Sequence, residues 1–201
     1  LDLINKDLKS IGVTFNNYVS EKTNHETGIV EKVIEKLKNK NDIYLGVLEK
    51  PKGKNESDWK PVKQLIFKST NYGDKSDRVI QKDNGDWTYF ASDIAYHYDK
   101  ASRGYDEIIN IWGADHAGYI DRVKASLNAL GFEDTVFTVK LCQIVNLIDK
   151  KKVIKMSKRS GNFVLVSDIL PKIGKDVLRF FMLTRKNDAH LDFDLEKCLN
   201  E

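Results

Sequence analysis

The stretch "EIINIWGADHAGYIDRVKASLNALG", residues 107–131, decides the predicted fold. It begins as a short apolar strand and closes on the tetrapeptide GADH at 113–116, after which an amphipathic helical pattern follows. Gly131 stands where a helix C-cap belongs, and residues 135–148 then form a long apolar region typical of a strand. A strand, a helix and a second strand in this order favour a parallel sheet covered by helices, the doubly wound α/β class.

The rest of the chain supplies further elements by the same periodicities. We expect helices at residues 1–12, 28–41, 88–102, from 167 onward and at 175–186, and strands at 13–20, 43–50, 62–70 and 77–82. The strands at 62–70 and 77–82 are expected to pair as a hairpin. Proline, glycine and charged residues are dense between 51 and 61, which indicates an exposed loop.

The bulk composition suits one large domain, or one domain with parts of its neighbours: 201 residues, 41% hydrophobic and 31% charged. Neither a signal peptide nor an apolar run near 18 residues is present, so we expect no secretion and no membrane span. Cys142 and Cys198 lie far apart, which argues against a disulfide framework and favours a reducing, cytoplasmic setting. Because 33 basic residues nearly balance 30 acidic ones, any nucleic-acid footprint must be local.

The ends of the chain indicate a piece of a longer protein. Leu1 stands in place of Met and opens directly on a helical pattern, and Glu201 falls within another pattern. Trimming of the ends is the simpler alternative explanation.

A basic loop, "KVIKMSKRSGN" at 152–162, follows the long apolar region. Lys155 and Lys158, with the Ser157 hydroxyl between them, could hold a triphosphate as charge builds on its leaving group. An ordinary solvated loop is the alternative for a generic lysine cluster, and the order Lys-Met-Ser-Lys outweighs it.

The GADH turn is a second candidate site, because ligands of such sheets gather where strands end and helices begin. Gly113 lets a backbone approach a ligand closely, Asp115 can accept hydrogen bonds from ribose hydroxyls or a cation, and His116 can donate to phosphate. A tight strand-to-helix turn without function is equally compatible with these residues.

Tyr89 and Asp93 form a third candidate, since residues four apart share one face of a helix. A phenol beside a carboxylate is a suitable cradle for a guanidinium group. The alternative is a half-buried tyrosine with a solvent-facing aspartate. His97, four residues further on, is expected to be structural.

Other motifs fail. The chain contains neither the GxxxxGK[ST] nor the GxGxxG phosphate-binding pattern, and "HAGY" at 116–119 lacks the second histidine of a His-x-Gly-His motif. Histidines 25, 97, 116 and 190 are scattered, so no metal site is expected.

Three stretches taken together resemble a known family. "KMSKRSGNFV", "TYFASDIAYHYDK" and "INIWGADHAGYIDRVKASLNALG" are similar to class I aminoacyl-tRNA synthetases, and within that class to arginyl-tRNA synthetases. "GKDVLRFFMLTRKNDAHLDFDLEK" resembles that family's passage towards its stem and anticodon-binding helices. The likeness is close over residues 65–201 and looser over 1–64; the KMSK motif alone indicates only the class.

The resemblance implies the second half of a Rossmann-type catalytic domain. In such a protein arginine is activated by ATP, accompanied by Mg²⁺, and is transferred to the 3′ end of tRNA(Arg) without a prosthetic group. Residues 1–64 would be an inserted or connecting part, 65–184 the catalytic half-domain with the basic loop, and 185–201 the start of the helical region. A monomer is expected for the full-length enzyme.

The resemblance also implies roles for individual residues. Lys155, Ser157 and Lys158 would form a mobile loop that closes on ATP, with Lys158 nearest the departing pyrophosphate. Tyr89, Asp93 and Asp115 would contact arginine; the ATP-binding residues would be Gly113, Asp115, His116, Gln143, Lys155 and Lys158.

One departure from the family is large, because the His-x-Gly-His motif occurs nowhere in this chain. We therefore expect the 201-residue chain alone neither to activate arginine nor to charge tRNA. Two alternatives stay open: a class I synthetase of another specificity, which explains Tyr89 and Asp93 less well, and a non-catalytic paralogue that binds tRNA or nucleotide.

Overall fold

A computed structural model describes residues 1–50, 60–149, 152–154 and 164–200. The α-helices are α1 (Asp2–Ser10), α2 (Glu21–Glu26), α3 (Ile29–Asn39), α4 (Tyr89–Ala101), α5 (Ile120–Ala129), α6 (Val166–Ile173), α7 (Lys175–Leu183) and α8 (Leu195–Asn200). The strands are β1 (Ile43–Gly46), β2 (Gln64–Phe67), β3 (Arg78–Gln81), β4 (Glu107–Gly113), β5 (Val136–Cys142), β6 (Val145–Asp149), β7 (Lys152–Val153) and β8 (Leu191–Asp194).

The chain divides into two compact units. The first unit contains Leu1–Tyr18, Ile111–Asp115 and Lys140–Glu201, and the second contains Val19–Asn110 and His116–Val139. Each is described separately below.

In the second unit, β1, β2 and β3 form an antiparallel sheet in that order, as the predicted hairpin requires. Helix α3 contributes its apolar stripe to the core because residues spaced three and four apart share one face. The fully buried members of this core are Val30, Val33, Ile34, Leu37, Ile66, Phe67 and Ile80. Burial of each such side chain contributes about 1.5–3 kcal/mol, so this core holds the sheet and α3 together.

Helix α4 packs on α3 and α5 within the same unit. The Thr88 side chain caps its first turn by accepting a hydrogen bond from the Ala91 amide. Phe90 and Ile94 lie on its buried face. This packing fixes the axis of α4, and with it the positions of the polar residues on its other faces.

Strands β4 and β5 pair as a two-stranded sheet. Burial alternates along the start of β4, where Ile108 and Asn110 are buried between exposed neighbours. The segment Ala114–Tyr119 is a 3₁₀ helix that leads into α5, so the predicted helix at 116–131 begins in a tighter form than expected.

In the first unit, β6 lies between β7 and β8, antiparallel to the former and parallel to the latter. Leu147 and Phe193 from the sheet pack with Leu178 of α7 in one apolar cluster. A cavity of about 480 Å³ adjoins this cluster and has an almost wholly apolar lining. Arg179 Nη1 donates a hydrogen bond to the Ile11 carbonyl at 3.1 Å, which ties α7 to the residues after α1.

Two expectations about elements are wrong, and some short elements were not expected. Residues 13–20 form no strand; Phe15 and Tyr18 are exposed and their rings pack on each other with centroids 5.8 Å apart. The single strand expected at 135–148 is two strands in different sheets, separated at Gln143 and Ile144. Strand β8 was not predicted. The predicted loop at 51–61 falls largely outside the described residues.

Candidate functional site

The first two turns of α4 bring together two of the predicted residues. Tyr89 is the first residue of the helix, with 82% of its surface exposed, and Asp93 lies one turn later and is partly buried. Among the residues that the structure describes, none donates a hydrogen bond or forms an ion pair to the Asp93 carboxylate. A partly buried carboxylate that lacks a partner is suited to bind a cation.

The surroundings of Asp93 raise the pKa of its carboxyl group. Burial is the largest cause, and the negative charge of Glu21 adds to it. The positive charges of His116, Lys100 and Arg122 act in the opposite direction and lower the pKa without reversing the rise. These surroundings disfavour the ionised carboxylate, and a bound cation would offset that cost, so the site favours a positively charged ligand.

A chain of polar side chains lies behind Asp93. His97 Nδ1 is 2.7 Å from the Asp93 carbonyl oxygen, and His97 Nε2 is 2.7 Å from Nδ2 of Asn110. Lys100 Nζ donates a hydrogen bond to Asn110 Oδ1 at 2.9 Å and lies 4.2 Å from the centroid of the Tyr96 ring. We call His97, Asn110 and Lys100 the α4–β4 polar chain.

The contacts within the α4–β4 polar chain fix the tautomer of His97. A carbonyl oxygen only accepts, so Nδ1 carries the proton; Nε2 must then accept from the Asn110 amide. Burial lowers the pKa of His97 from 6.5 to about 4, and the Lys100 charge contributes, although the bond to the Asp93 carbonyl opposes them. His97 is thus neutral and structural, as the sequence predicts.

We expect His97 to keep its Nδ1–H neutral form down to about pH 5, with a midpoint at about 4. In the unfolded chain His97 has its ordinary pKa of 6.5, so the unfolded chain takes up a proton at higher pH than the folded one does. The free energy of unfolding therefore keeps its full contribution from neutral His97 above pH 6.5 and loses it as the pH falls towards 4. The loss is about 3 kcal/mol.

Nitrogen-15 NMR of histidine-labelled protein over pH 7.5–4 measures both the tautomer and the midpoint, and His97→Gln identifies the His97 signals. A midpoint near the ordinary value, or a proton on Nε2, would contradict the geometry.

The predicted GADH turn lies at the end of β4. A Cβ atom on Gly113 would come within 2.6 Å of Asp115 Oδ1, so a larger residue at 113 would displace that carboxylate. Asp115 and His116 are both exposed on the 3₁₀ segment. The His116 ring lies 5.9 Å from that of Tyr119.

Gln143 lies in the connection between β5 and β6 and not on a strand, which corrects its predicted place. The reason is a contact with a distant part of the chain: the Gln143 backbone amide donates to the Asn187 carbonyl at 2.9 Å, and Asn187 Nδ2 donates to the Leu141 carbonyl at 2.6 Å. These bonds replace strand pairing at this point. Lys155, Ser157 and Lys158 lie outside the described residues.

Sequence reasoning missed Asn110 and Lys100. The alternation of "EIIN" places position 110 on the buried side of the strand, where an amide needs a hydrogen-bonding partner. The sequence alone could therefore have indicated a buried polar contact at Asn110. The partner itself was not predictable, because Asn110 and His97 are separated by 13 residues and meet only in the folded unit.

Arg122 was also missed. Its guanidinium carbon lies 4.2 Å from the Tyr119 ring centroid and 5.9 Å from that of Phe90. Burial and the charge of Arg78 lower its pKa. The cation is thereby held beside the start of α4 and contributes to the positive field at Asp93.

Within the part of the chain that the structure describes, no cluster of three or more His, Cys, Asp or Glu side chains could hold a metal ion. Over the same residues, no helix combines the length and apolarity that crossing a membrane requires.

The family model of the catalytic domain of class I (R) tRNA synthetases matches residues 29–194. The chain belongs to this family. Its fold is therefore the α/β Rossmann-type fold of the class I synthetase catalytic domain, which confirms the predicted fold class.

Individual relatives agree with this assignment. An arginine–tRNA ligase of Roseobacter denitrificans is 53% identical over 201 residues, which is all of this chain and 35% of the relative. One from Jannaschia is 52% identical over 197 residues, 98% of this chain and 34% of the relative. A Campylobacter jejuni crystal structure assigned to an arginyl-tRNA synthetase is 38% identical with a TM-score of 0.78, over 97% of this chain and 39% of that one. This synthetase segment thus spans about a third of the length of its curated relatives.

Proposed function

We propose that the chain is the part of an arginine–tRNA ligase that recognises arginine and carries half of its ATP site. The observation that carries this proposal is the partly buried Asp93 carboxylate, which has no partner among the described residues and lies one turn beyond the exposed Tyr89 ring. A guanidinium is planar and can donate two parallel hydrogen bonds to a carboxylate while it stacks on an aromatic ring.

The proposed reaction has two steps. The carboxylate of arginine attacks the α-phosphorus of ATP, which releases pyrophosphate and leaves arginyl-adenylate. A terminal ribose hydroxyl of tRNA(Arg) then attacks the arginyl carbonyl, and AMP departs. ATP is a substrate here, accompanied by Mg²⁺, and no prosthetic group is needed.

The residues divide between these substrates by chemistry. Tyr89 and Asp93 are assigned to the guanidinium, and Asp115 is assigned to arginine as well as to ATP. The ATP-binding residues are Gly113, Asp115, His116, Gln143, Lys155 and Lys158. Lys155, Ser157 and Lys158 act on the phosphates as charge passes to the leaving pyrophosphate.

The setting follows from the same proposal. The complete enzyme works in the cytoplasm as a monomer with tRNA(Arg) as its macromolecular partner. Within this chain, 1–64 is the inserted or connecting part, 65–184 the catalytic half-domain and 185–201 the start of the helical region.

We expect the isolated 201-residue chain to catalyse no ATP–pyrophosphate exchange with arginine and tRNA, because its sequence holds no His-x-Gly-His donors for the second side of the phosphates. A complete ligase that contains this segment should catalyse both exchange and arginylation. Exchange by the isolated chain would contradict the half-site assignment. A complete ligase that charges tRNA with another amino acid would contradict the proposed specificity.

A further inference from the structure

The α4–β4 polar chain is ordered from one end to the other. The Asp93 carbonyl accepts from His97 Nδ1, so His97 Nε2 must accept from the Asn110 amide group. Asn110 therefore directs Oδ1 towards Lys100, whose ammonium donates to it at 2.9 Å. Were His97 replaced by an apolar residue, the Asn110 NH₂ group would lose the acceptor that His97 Nε2 provides, and among these three residues only the Lys100 ammonium would still favour this amide orientation.

Lys100 would otherwise compete for Asp93. The two residues are seven positions apart on one face of α4, about 10.5 Å along its axis, and helical side chains lean towards the N-terminus. The charge of Lys100 acts to lower the pKa of Asp93, so the two groups interact electrostatically although they form no ion pair. The contacts that the ammonium makes instead are with Asn110 Oδ1, at 2.9 Å, and with the Tyr96 ring.

We propose that His97 and Asn110 are positioning residues that hold the Lys100 ammonium away from Asp93 and so keep that carboxylate open for a substrate guanidinium. The inference rests on the proposed function, since it concerns the same arginine site. Neither residue touches the substrate. Both act through Lys100, whose release would turn a neighbouring charge into a competing ligand.

The test is a double-mutant cycle in a complete ligase that contains this segment, with steady-state KM for arginine, KM for ATP and kcat measured by ATP–pyrophosphate exchange. Asn110→Leu removes the acceptor at nearly constant volume. We expect the KM for arginine to rise about tenfold, with the KM for ATP and kcat changed by less than about twofold. In a Lys100→Met background the same substitution should change the KM for arginine by less than about twofold.

This cycle separates the inference from a purely structural role. Loss of a buried hydrogen bond weakens packing whether or not residue 100 is charged, so an Asn110→Leu effect that persists in the Lys100→Met background would overturn the inference. Asp93→Asn serves as the reference: if it leaves the KM for arginine unchanged, the proposed arginine site itself is wrong and the inference falls with it. If the KM for arginine rises with Asp93→Asn but not with Asn110→Leu, the inference is wrong and the proposed arginine site stands.

A second pair of variants tests the inference if the Asn110→Leu protein folds poorly. His97→Gln keeps an acceptor for the Asn110 amide, whereas His97→Leu removes it. We expect the KM for arginine to rise with His97→Leu and to stay within about twofold of the parent with His97→Gln. Equal rises in both would contradict the proposed role of the amide orientation.

Discussion

Replacing Lys158 by alanine should lower kcat for ATP–pyrophosphate exchange by about 10²–10³-fold in a complete ligase that contains this segment. An ammonium placed beside the departing pyrophosphate stabilises charge that develops only in the transition state. The substrate complexes carry less of that charge, so the KM values for ATP and arginine should change far less than kcat. Steady-state exchange over a grid of ATP and arginine concentrations measures all three quantities.

Lys152→Ala is the matched control, because Lys152 is an exposed lysine on β7, at the first position of the basic loop, and has no proposed contact with ATP. Removal of its charge should leave kcat within about twofold of the parent enzyme. If Lys158→Ala raised both KM values equally and left kcat intact, Lys158 would contribute ordinary ground-state binding and its assignment would be wrong.

The sequence predicts α4 well because local rules determine it. Thr88 is a strong N-cap, the apolar residues recur at helical spacing, and neither proline nor glycine interrupts the run. The spacing of Tyr89 and Asp93 on one face follows directly and is confirmed, whereas their role in binding arginine stays a prediction.

Other elements depend on partners that a local pattern does not contain. Residues 13–20 alternate like a strand, but they pair with none of the strands that the structure describes. The apolar region 135–148 is continuous in composition, yet Asn187, more than forty residues away, supplies the hydrogen bonds that break it at Gln143. Strand β8 pairs with β6, whose residues lie more than forty positions earlier in the chain, and a local pattern does not show that partner.

The α4–β4 polar chain likewise combines a feature that local sequence predicts with one that depends on a distant partner. His97 lies on α4 and its burial is predictable from helical spacing, but its tautomer depends on Asn110 of β4. The pairing of an imidazole with an amide across two elements arises only when α4 packs against β4. The sequence therefore predicts which residues of α4 share a face and does not predict the contacts that Asn110 makes with His97 and Lys100.

Replacing Asp93 by asparagine should lower kcat/KM for arginine by about 10²-fold or more, since it removes the partner of a partly desolvated cation. The amide has nearly the same shape, so α4 and its packing should persist. The KM for ATP should stay within about twofold of the parent value, because the carboxylate is proposed to contact only the amino acid.

Asp99→Asn is the matched control on the same helix. Asp99 pairs with Arg103 near the end of α4, about two turns from Asp93, and has no proposed role in binding. Its loss removes the same charge from the same helix and should leave kcat/KM for arginine within about threefold of the parent.

The most direct test of the account is this comparison of kcat/KM for arginine between Asp93→Asn and Asp99→Asn in the complete ligase, with the KM for ATP followed in parallel. The account predicts a loss of about 10²-fold that is specific to arginine and to Asp93. Equal values for the two variants, or a loss shared by ATP and arginine, would contradict the assignment of Asp93 as the guanidinium-binding residue.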